Sequence, residues 1–225
     1  MDFIFMLTRN DQTVTDCLDV CDLIRPLRLR HVGFKDIGVD FATLQALVLK
    51  IHEMGAQSYM EVVSTTADEC LNSARMAVRL GVGHLLGGTE IDPTLEIIRD
   101  TPIRYYPFPG APHGHPTRLG GSAAQVEAQC RHFMQKGCAG ADLLAYRATQ
   151  EDPLRLVEAA RRGLAGGRLI IAGNIDSAAR IADIATRGAD AFTIGSAVFN
   201  GAYAPHKGST LSQLGDVIAD CARNA

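Results

Sequence analysis

The sequence has no CxxC pair, no apolar run long enough to cross a bilayer, no excess of basic residues and no glycine-rich nucleotide turn after its first strand-like run. Each absence removes a class of function. The six cysteines (Cys17, Cys21, Cys70, Cys130, Cys138, Cys221) are scattered through 225 residues, which speaks against a disulfide framework and for buried thiols in a reducing compartment. Cys17 and Cys21 share one helical face, but zinc needs two further ligands at matching spacing and none is visible, so no metal is expected. A formal charge of −3 lacks the basic footprint that polyanions require, so no nucleic-acid partner is implied. The opening Met-Asp-Phe-Ile-Phe-Met-Leu carries an acid where a secretory signal carries positive charge, and a cytoplasmic protein with no membrane partner is expected. Leu7-Thr8-Arg9-Asn10 follows the first strand-like run where GxGxxG or GxxxxGK[ST] would stand in a nucleotide-binding fold, and no cofactor is expected.

What is present is alternation. Apolar runs of strand length fall at Asp2–Leu7, His31–Lys35, Ser58–Val63, His84–Gly87, Ile103–Phe108, Leu143–Tyr146, Leu169–Ala172 and Phe192–Ile194. Helical spacing fills the gaps at Thr13–Ile24, Phe41–Met54, Ala67–Leu80, Pro93–Arg99, Ser122–Gln135, Pro153–Leu164, Ser177–Arg187 and Leu211–Arg223. Helix-start chemistry agrees: Thr66 with Glu69 reads as a capping box, and Asp92-Pro93 and Asp152-Pro153 put proline first after an Asp cap. Eight units of about 28 residues predict one α/β domain over residues 1–225, a closed (β/α)8 barrel of eight parallel strands rather than an open doubly wound sheet.

In such barrels chemistry sits at the carboxyl ends of the strands, and phosphate is held by the loops after strands seven and eight with the start of a short extra helix. Here those ends read Leu169-Ile-Ile-Ala-Gly-Asn174 and Ala191-Phe-Thr-Ile-Gly-Ser196. Gly173 and Gly195 leave room for close approach to backbone donors, Asn174 adds an amide and Ser196 a hydroxyl. The stretch Ile170-Ile-Ala-Gly-Asn-Ile175, together with Gly188-Ala-Asp-Ala-Phe-Thr-Ile-Gly-Ser-Ala-Val-Phe199, resembles the final quarter of the ribulose-phosphate-binding barrels. That superfamily includes N-acetylmannosamine-6-phosphate epimerase, phosphoribosylanthranilate isomerase and the histidine-biosynthesis barrels. The resemblance implies a small phosphorylated metabolite held by Gly173, Asn174, Gly195 and Ser196. It is to the superfamily rather than to one enzyme: Phe5-Met6 stands where phosphoribosylanthranilate isomerase has its Cys–Gly pair, and no acid ends strand seven as in the epimerase.

Among four lysines, only Lys35 ends a strand, where it can act as acid or base, hold an enolate or form an imine. Glu61, inside the neighbouring strand, needs a cationic partner or an opening to the mouth, so a Lys35–Glu61 pair is expected. The longest loop, Pro107–Gly121, holds four prolines and four glycines and is read as irregular. Its His113 and His115 are candidates for acid–base work as the loop closes over substrate. Asp36, Arg147 and Arg9 are candidate substrate contacts, with Arg147 equally able to pair with Glu90 or Glu151.

The reading that follows is an isomerase or epimerase of a phosphorylated sugar or sugar acid, working through an enediolate or enolate. A Schiff-base lyase or aldolase using Lys35 and a non-catalytic phosphometabolite-binding barrel are the alternatives, and a homo-oligomer is left open.

Overall fold

The computed structural model describes residues 1–64 and 66–224. Strands β1 (Asp2–Met6), β2 (His31–Lys35), β3 (Gln57–Glu61), β4 (His84–Leu86), β5 (Arg104–Tyr106), β6 (Gly140–Leu143), β7 (Arg168–Ile171) and β8 (Ala191–Ile194) are all parallel. They form one 8-stranded sheet in which β1 lies between β8 and β2. The remaining gap is bridged where Ala139 N donates to Tyr105 O at 2.9 Å and Asp142 N to Pro107 O at 3.1 Å, which closes the barrel.

Strand periodicity explains the two cores. In His31-Val-Gly-Phe-Lys35, Val32 and Phe34 pack outward with Leu44 and Leu47 of α2 (Phe41–Glu53), while Gly33 lies against Met6, Tyr59 and Ile4 on the inner face. The inner core is small, built from Ile4, Met6, Tyr59, Leu86, Tyr106, Ile170 and Ala191. The layer between sheet and helices carries most of the buried apolar surface. That layer includes α1 (Cys17–Ile24), α3 (Ala67–Leu80), α4 (Ile91–Ile98), α5 (Ala123–Lys136), α6 (Pro153–Leu164), α7 (Ala178–Ala185) and α9 (Thr210–Arg223), with a one-turn α8 (Ser196–Phe199) directly after β8. All six cysteines are buried and free. No helix among the described residues is long and apolar enough to cross a membrane.

Five local expectations need correction. The sixth strand is Gly140–Leu143 rather than Leu143–Tyr146, because Asp142 is an inward-facing strand residue and Ala145–Arg147 turns into a 3-10 helix. The first helix begins at Cys17, since Gln12–Thr13 pairs with Thr8–Arg9 in a hairpin. Pro107–Gly121 is not irregular: Ala111–His113 pairs antiparallel with Arg118–Gly120, the prolines standing at positions the short ladder tolerates. Finally, Thr66 makes no cap bond, since its hydroxyl donates to Glu69, and Glu90 rather than Asp92 precedes α4. Asp152 does cap α6, accepting from Leu154 N at 2.9 Å and Arg155 N at 3.0 Å.

Helices α5 and α6 pack so closely that a methyl group at Gly163 would lie 2.3 Å from the Glu127 carbonyl oxygen and 2.7 Å from Cys130 Cβ. Gly163→Ala should therefore lose about 1–3 kcal/mol in denaturant unfolding, against the gain of about 1 kcal/mol that the same change brings in an open helix. A stabilised variant would contradict this packing.

Candidate functional site

The site begins with a turn. Asn10 and Asp11, at φ 52° and 59°, make the two-residue bend between Thr8–Arg9 and Gln12–Thr13, a left-handed conformation that Asn and Asp tolerate. Thr13 Oγ1 fastens this hairpin to β2, donating to Lys35 O at 2.7 Å and accepting from Lys35 N at 2.9 Å. Asp11 is thereby held, buried, over the end of β2.

Lys35 and Glu61 are register partners at the last positions of β2 and β3. Lys35 Nζ donates to Glu61 Oε1 at 2.9 Å and to Asp11 Oδ1 at 3.0 Å. The expected Lys35–Glu61 pair is present, extended by an acid that the strand pattern does not single out. Arg147 grips Asp11 with both ends of its guanidinium, NH1 to Oδ2 and NH2 to Oδ1, each at 2.8 Å. Its partner is therefore neither Glu90 nor Glu151.

Environment settles the charge states. Burial would pull the Lys35 ammonium down, but Glu61 and Asp11 outweigh it and hold the pKa above that of an ordinary lysine. Asp11 is likewise pushed up by burial and carried far below the usual carboxylate range by Arg147 and Lys35. A fully charged, doubly bonded Lys35 is poorly suited to attack a ketone as a free amine, which weighs against the imine chemistry. Asp142, wholly buried within the barrel, goes the other way: burial and then the negative Glu61 raise its pKa well above normal, against the weaker pull of Lys35 and Arg147.

One cavity of about 220 Å³ joins this cluster to the phosphate candidates, since Asp11, Lys35, Glu61, Arg147, Gly173, Asn174, Gly195 and Ser196 all line it. An outer chamber of about 450 Å³ shares Asp11, Arg147, Asn174 and Ser196 and adds Thr117 and Arg118 from the Pro107–Gly121 hairpin. Ser196 and Ala197 open α8, and the first N–H groups of a helix have no partner within it.

The two glycines have an internal reason to be small. At Gly173, φ 77°, a methyl group would meet Arg147 Nε at 2.5 Å, so the guanidinium that grips Asp11 lies across it. A methyl group at Gly195 would lie 2.7 Å from Thr8 Oγ1 and 2.9 Å from Met6 O. Asn174, at φ 58°, donates from Nδ2 to Tyr146 O at 3.2 Å. Asp176 also lines the cavity, and Arg180 pairs with it at 2.8 Å.

Other candidates lie elsewhere. Asp36 accepts from Val63 N at 3.1 Å and Ser73 Oγ at 2.5 Å, on the helix side of β2. His113 is exposed, its Nδ1 3.0 Å from Ala111 O, and exposed His115 lines a separate cavity with Asp36 and Ser73. Arg9 bonds Asn200 Oδ1 at 2.8 Å and Phe199 O at 3.0 Å and lies outside the Lys35 cavity. Among the described residues no group of three or more His, Cys, Asp or Glu could hold a metal.

These features define a (β/α)8 barrel with a charged, enclosed mouth at the carboxyl ends of its strands. The solved structure of orotidine 5′-phosphate decarboxylase from Pyrococcus horikoshii OT3 matches it with a TM-score of 0.70 at 9% identity, over 97% of this chain and 98% of that one. Orotidine 5′-monophosphate decarboxylase from Sulfolobus solfataricus matches at 0.62 and 12% identity, over 96% of each chain. Thiamine phosphate pyrophosphorylase from Pyrococcus furiosus matches at 0.58 and 11%, over 88% of this chain and 86% of that one. At such identities the likeness is one of fold. No family model and no curated protein matches the sequence.

Asp142 supplies a test of these charge states. With its folded pKa raised, the native chain binds more protons than the unfolded one above the unfolded value near about 3.9, so Asp142 subtracts stability as pH rises. Asp142→Asn should gain on the wild type as pH rises above about 4, by up to about 1.4 kcal/mol per pH unit until Asp142 itself ionises. A pH-independent difference in unfolding free energy would contradict a protonated Asp142.

Proposed function

We propose that this barrel is an enzyme for a small phosphorylated sugar or sugar acid, and that it moves a proton between atoms next to a carbonyl through an enediolate or enolate. The observation that carries the reading is the shared cavity: a paired acid–base cluster on one side and Ser196, with its hydroxyl at the start of α8, among the other lining residues. The names of solved barrels with this fold, orotidine 5′-phosphate decarboxylase and thiamine phosphate pyrophosphorylase, specify phosphate esters, which supports the same class of ligand.

In this reading Glu61 takes the proton from the substrate carbon. Lys35 has three N–H groups and spends two on Glu61 and Asp11, leaving the third for the developing oxyanion. Glu61 then returns the proton to the neighbouring carbon. The phosphate rests against Ser196, Gly195, Gly173 and Asn174. Asp11 and Arg147 hold Lys35 in place.

Proton exchange tests this whatever the product is. Incubated in deuterium oxide with a panel of aldose, ketose and sugar-acid phosphates and followed by NMR, the wild type should exchange the hydrogen next to the carbonyl of at least one of them. Glu61→Gln should slow that exchange by about a hundredfold or more and still bind the phosphate. Binding without exchange in the wild type would make this a non-catalytic binding barrel. A borohydride-reduced adduct on Lys35 would favour the lyase.

A further inference from the structure

The outer chamber carries a charge that the proton transfer leaves unused. Of its lining residues, Asp11, Arg147 and Arg118 are charged. Asp11 and Arg147 hold each other, and Asp11 also accepts from Lys35. The Arg118 guanidinium has no hydrogen bond, ion pair or aromatic contact to any described residue, so the chamber is left with a cation that no acid balances.

The backbone on either side of Arg118 is anchored. Thr117 O accepts from Arg147 NH1 at 3.2 Å and Leu119 O from Thr149 N at 2.9 Å, which fastens this strand of the hairpin to the turn after β6. Thr117 and Leu119 are buried, Leu119 in the sheet–helix core, and strand alternation turns Arg118 the other way, to the chamber. Its planar fork of N–H donors thus stands free on a fixed stem. Location separates it from the other free cations. Arg28, Arg30 and Arg104 also lack a side-chain partner, and all three lie at the amino-terminal ends of the strands. All four lysines are paired. Among the described residues, Arg118 is the unpartnered cation at the barrel mouth.

The inner cavity and the outer chamber adjoin along Asp11, Arg147, Asn174 and Ser196, which line both. That seam is long, since Asn174 and Ser196 follow β7 and β8, Asp11 lies over β2 and Arg147 follows β6. A ligand can rest its phosphate on the Ser196 side, reach in to Lys35 with its reacting carbons, and bring a further group out beside Arg147 to Arg118. We propose that Arg118 selects a substrate with two anionic groups, the phosphate and a carboxylate or second phosphate elsewhere on the carbon chain. The inference rests on the phosphate reading above and narrows it from sugar phosphates at large to sugar acid phosphates or sugar bisphosphates. A guanidinium meets either anion through paired N–H groups, whereas a singly charged ligand leaves it in water.

Titration calorimetry of the full chain near neutral pH reads this without turnover. The probes are matched pairs that differ only in the second anion: glycerate 3-phosphate against glycerol 3-phosphate, erythronate 4-phosphate against erythritol 4-phosphate, and gluconate 6-phosphate against glucitol 6-phosphate. Glucitol 1,6-bisphosphate is the two-phosphate arm, and inorganic phosphate is titrated alone. At one chain length or more the wild type should bind the doubly anionic member at least about tenfold more tightly. Arg118→Gln should erase that preference and leave the affinity of the singly anionic member where it was, while Arg118→Lys, which keeps the charge, should retain part of it. A preference for gluconate 6-phosphate over the bisphosphate assigns the carboxylate to Arg118, and the reverse assigns a second phosphate. Equal binding within every pair, a preference that Arg118→Gln retains, or an equal loss for both members of a pair overturns the proposal, the last by placing Arg118 on the shared phosphate. Arg118 is exposed, and circular dichroism checks that each variant is folded; the preference of the wild type is a test that needs no variant. Inorganic phosphate bound with no preference within the pairs removes the role of Arg118 alone. Failure of every probe to bind, inorganic phosphate included, removes the phosphate reading and Arg118's role with it.

Discussion

Two cations and two carboxylates share one proton-bonded cluster at the end of the barrel, and the surrounding structure is arranged around it. Burying Lys35 is tolerable only because Asp11 and Glu61 both reach its ammonium, and Asp11 is tolerable only because Arg147 closes on it from the far side. The hairpin after β1 exists in a form that delivers Asp11, pinned by Thr13 to the backbone of Lys35. The turn after β6 delivers Arg147, and Gly173 after β7 makes way for it. Four mouths are thus coupled through one ion network, and a change at any of them reaches Lys35.

That coupling alters the meaning of the glycines. From the strand pattern, Gly173 and Gly195 stand where a phosphate would approach the backbone, and the same positions are required by Arg147 and by Thr8 and Met6 within the protein itself. Packing alone explains why they are small. The weight of the proposed phosphate reading therefore moves to Ser196 and Ala197, which begin α8 and line the cavity, and to the chamber that connects them with Lys35. The outer chamber, walled by the Pro107–Gly121 hairpin, gives that loop a place in enclosure through Thr117 and Arg118 rather than through its histidines.

Periodicity makes much of the scaffold legible: β2, α3 and α6 run as the apolar spacing places them, because each buries one face against a neighbour. The Lys35–Glu61 pair is readable for the same reason, as both stand at the ends of adjacent parallel strands. Asp11 pairs with Arg147 across 136 residues, a distance no local pattern spans. An Asn-Asp pair between short polar runs is a hairpin signal, and it is the one local feature that points to the turn. Asp142 escapes for a more basic reason: an acid in Gly-Ala-Asp-Leu looks like loop, and only closure of the barrel shows that it faces inward. His113 and His115 stand out because histidines in a long loop are conspicuous, yet the hairpin that loop forms carries them away from Lys35.

The proposed function requires the Lys35 cluster and an anion site to share one cavity. A crystal structure of the protein grown with inorganic phosphate decides whether they do. An anion is predicted within hydrogen-bonding distance of the Ser196 and Ala197 N–H groups, with Lys35 still bonded to Asp11 and Glu61 beside it. Phosphate bound away from the mouths of β7 and β8, or Arg147 released from Asp11 to bind the anion in the absence of any contact to Ser196, would contradict it.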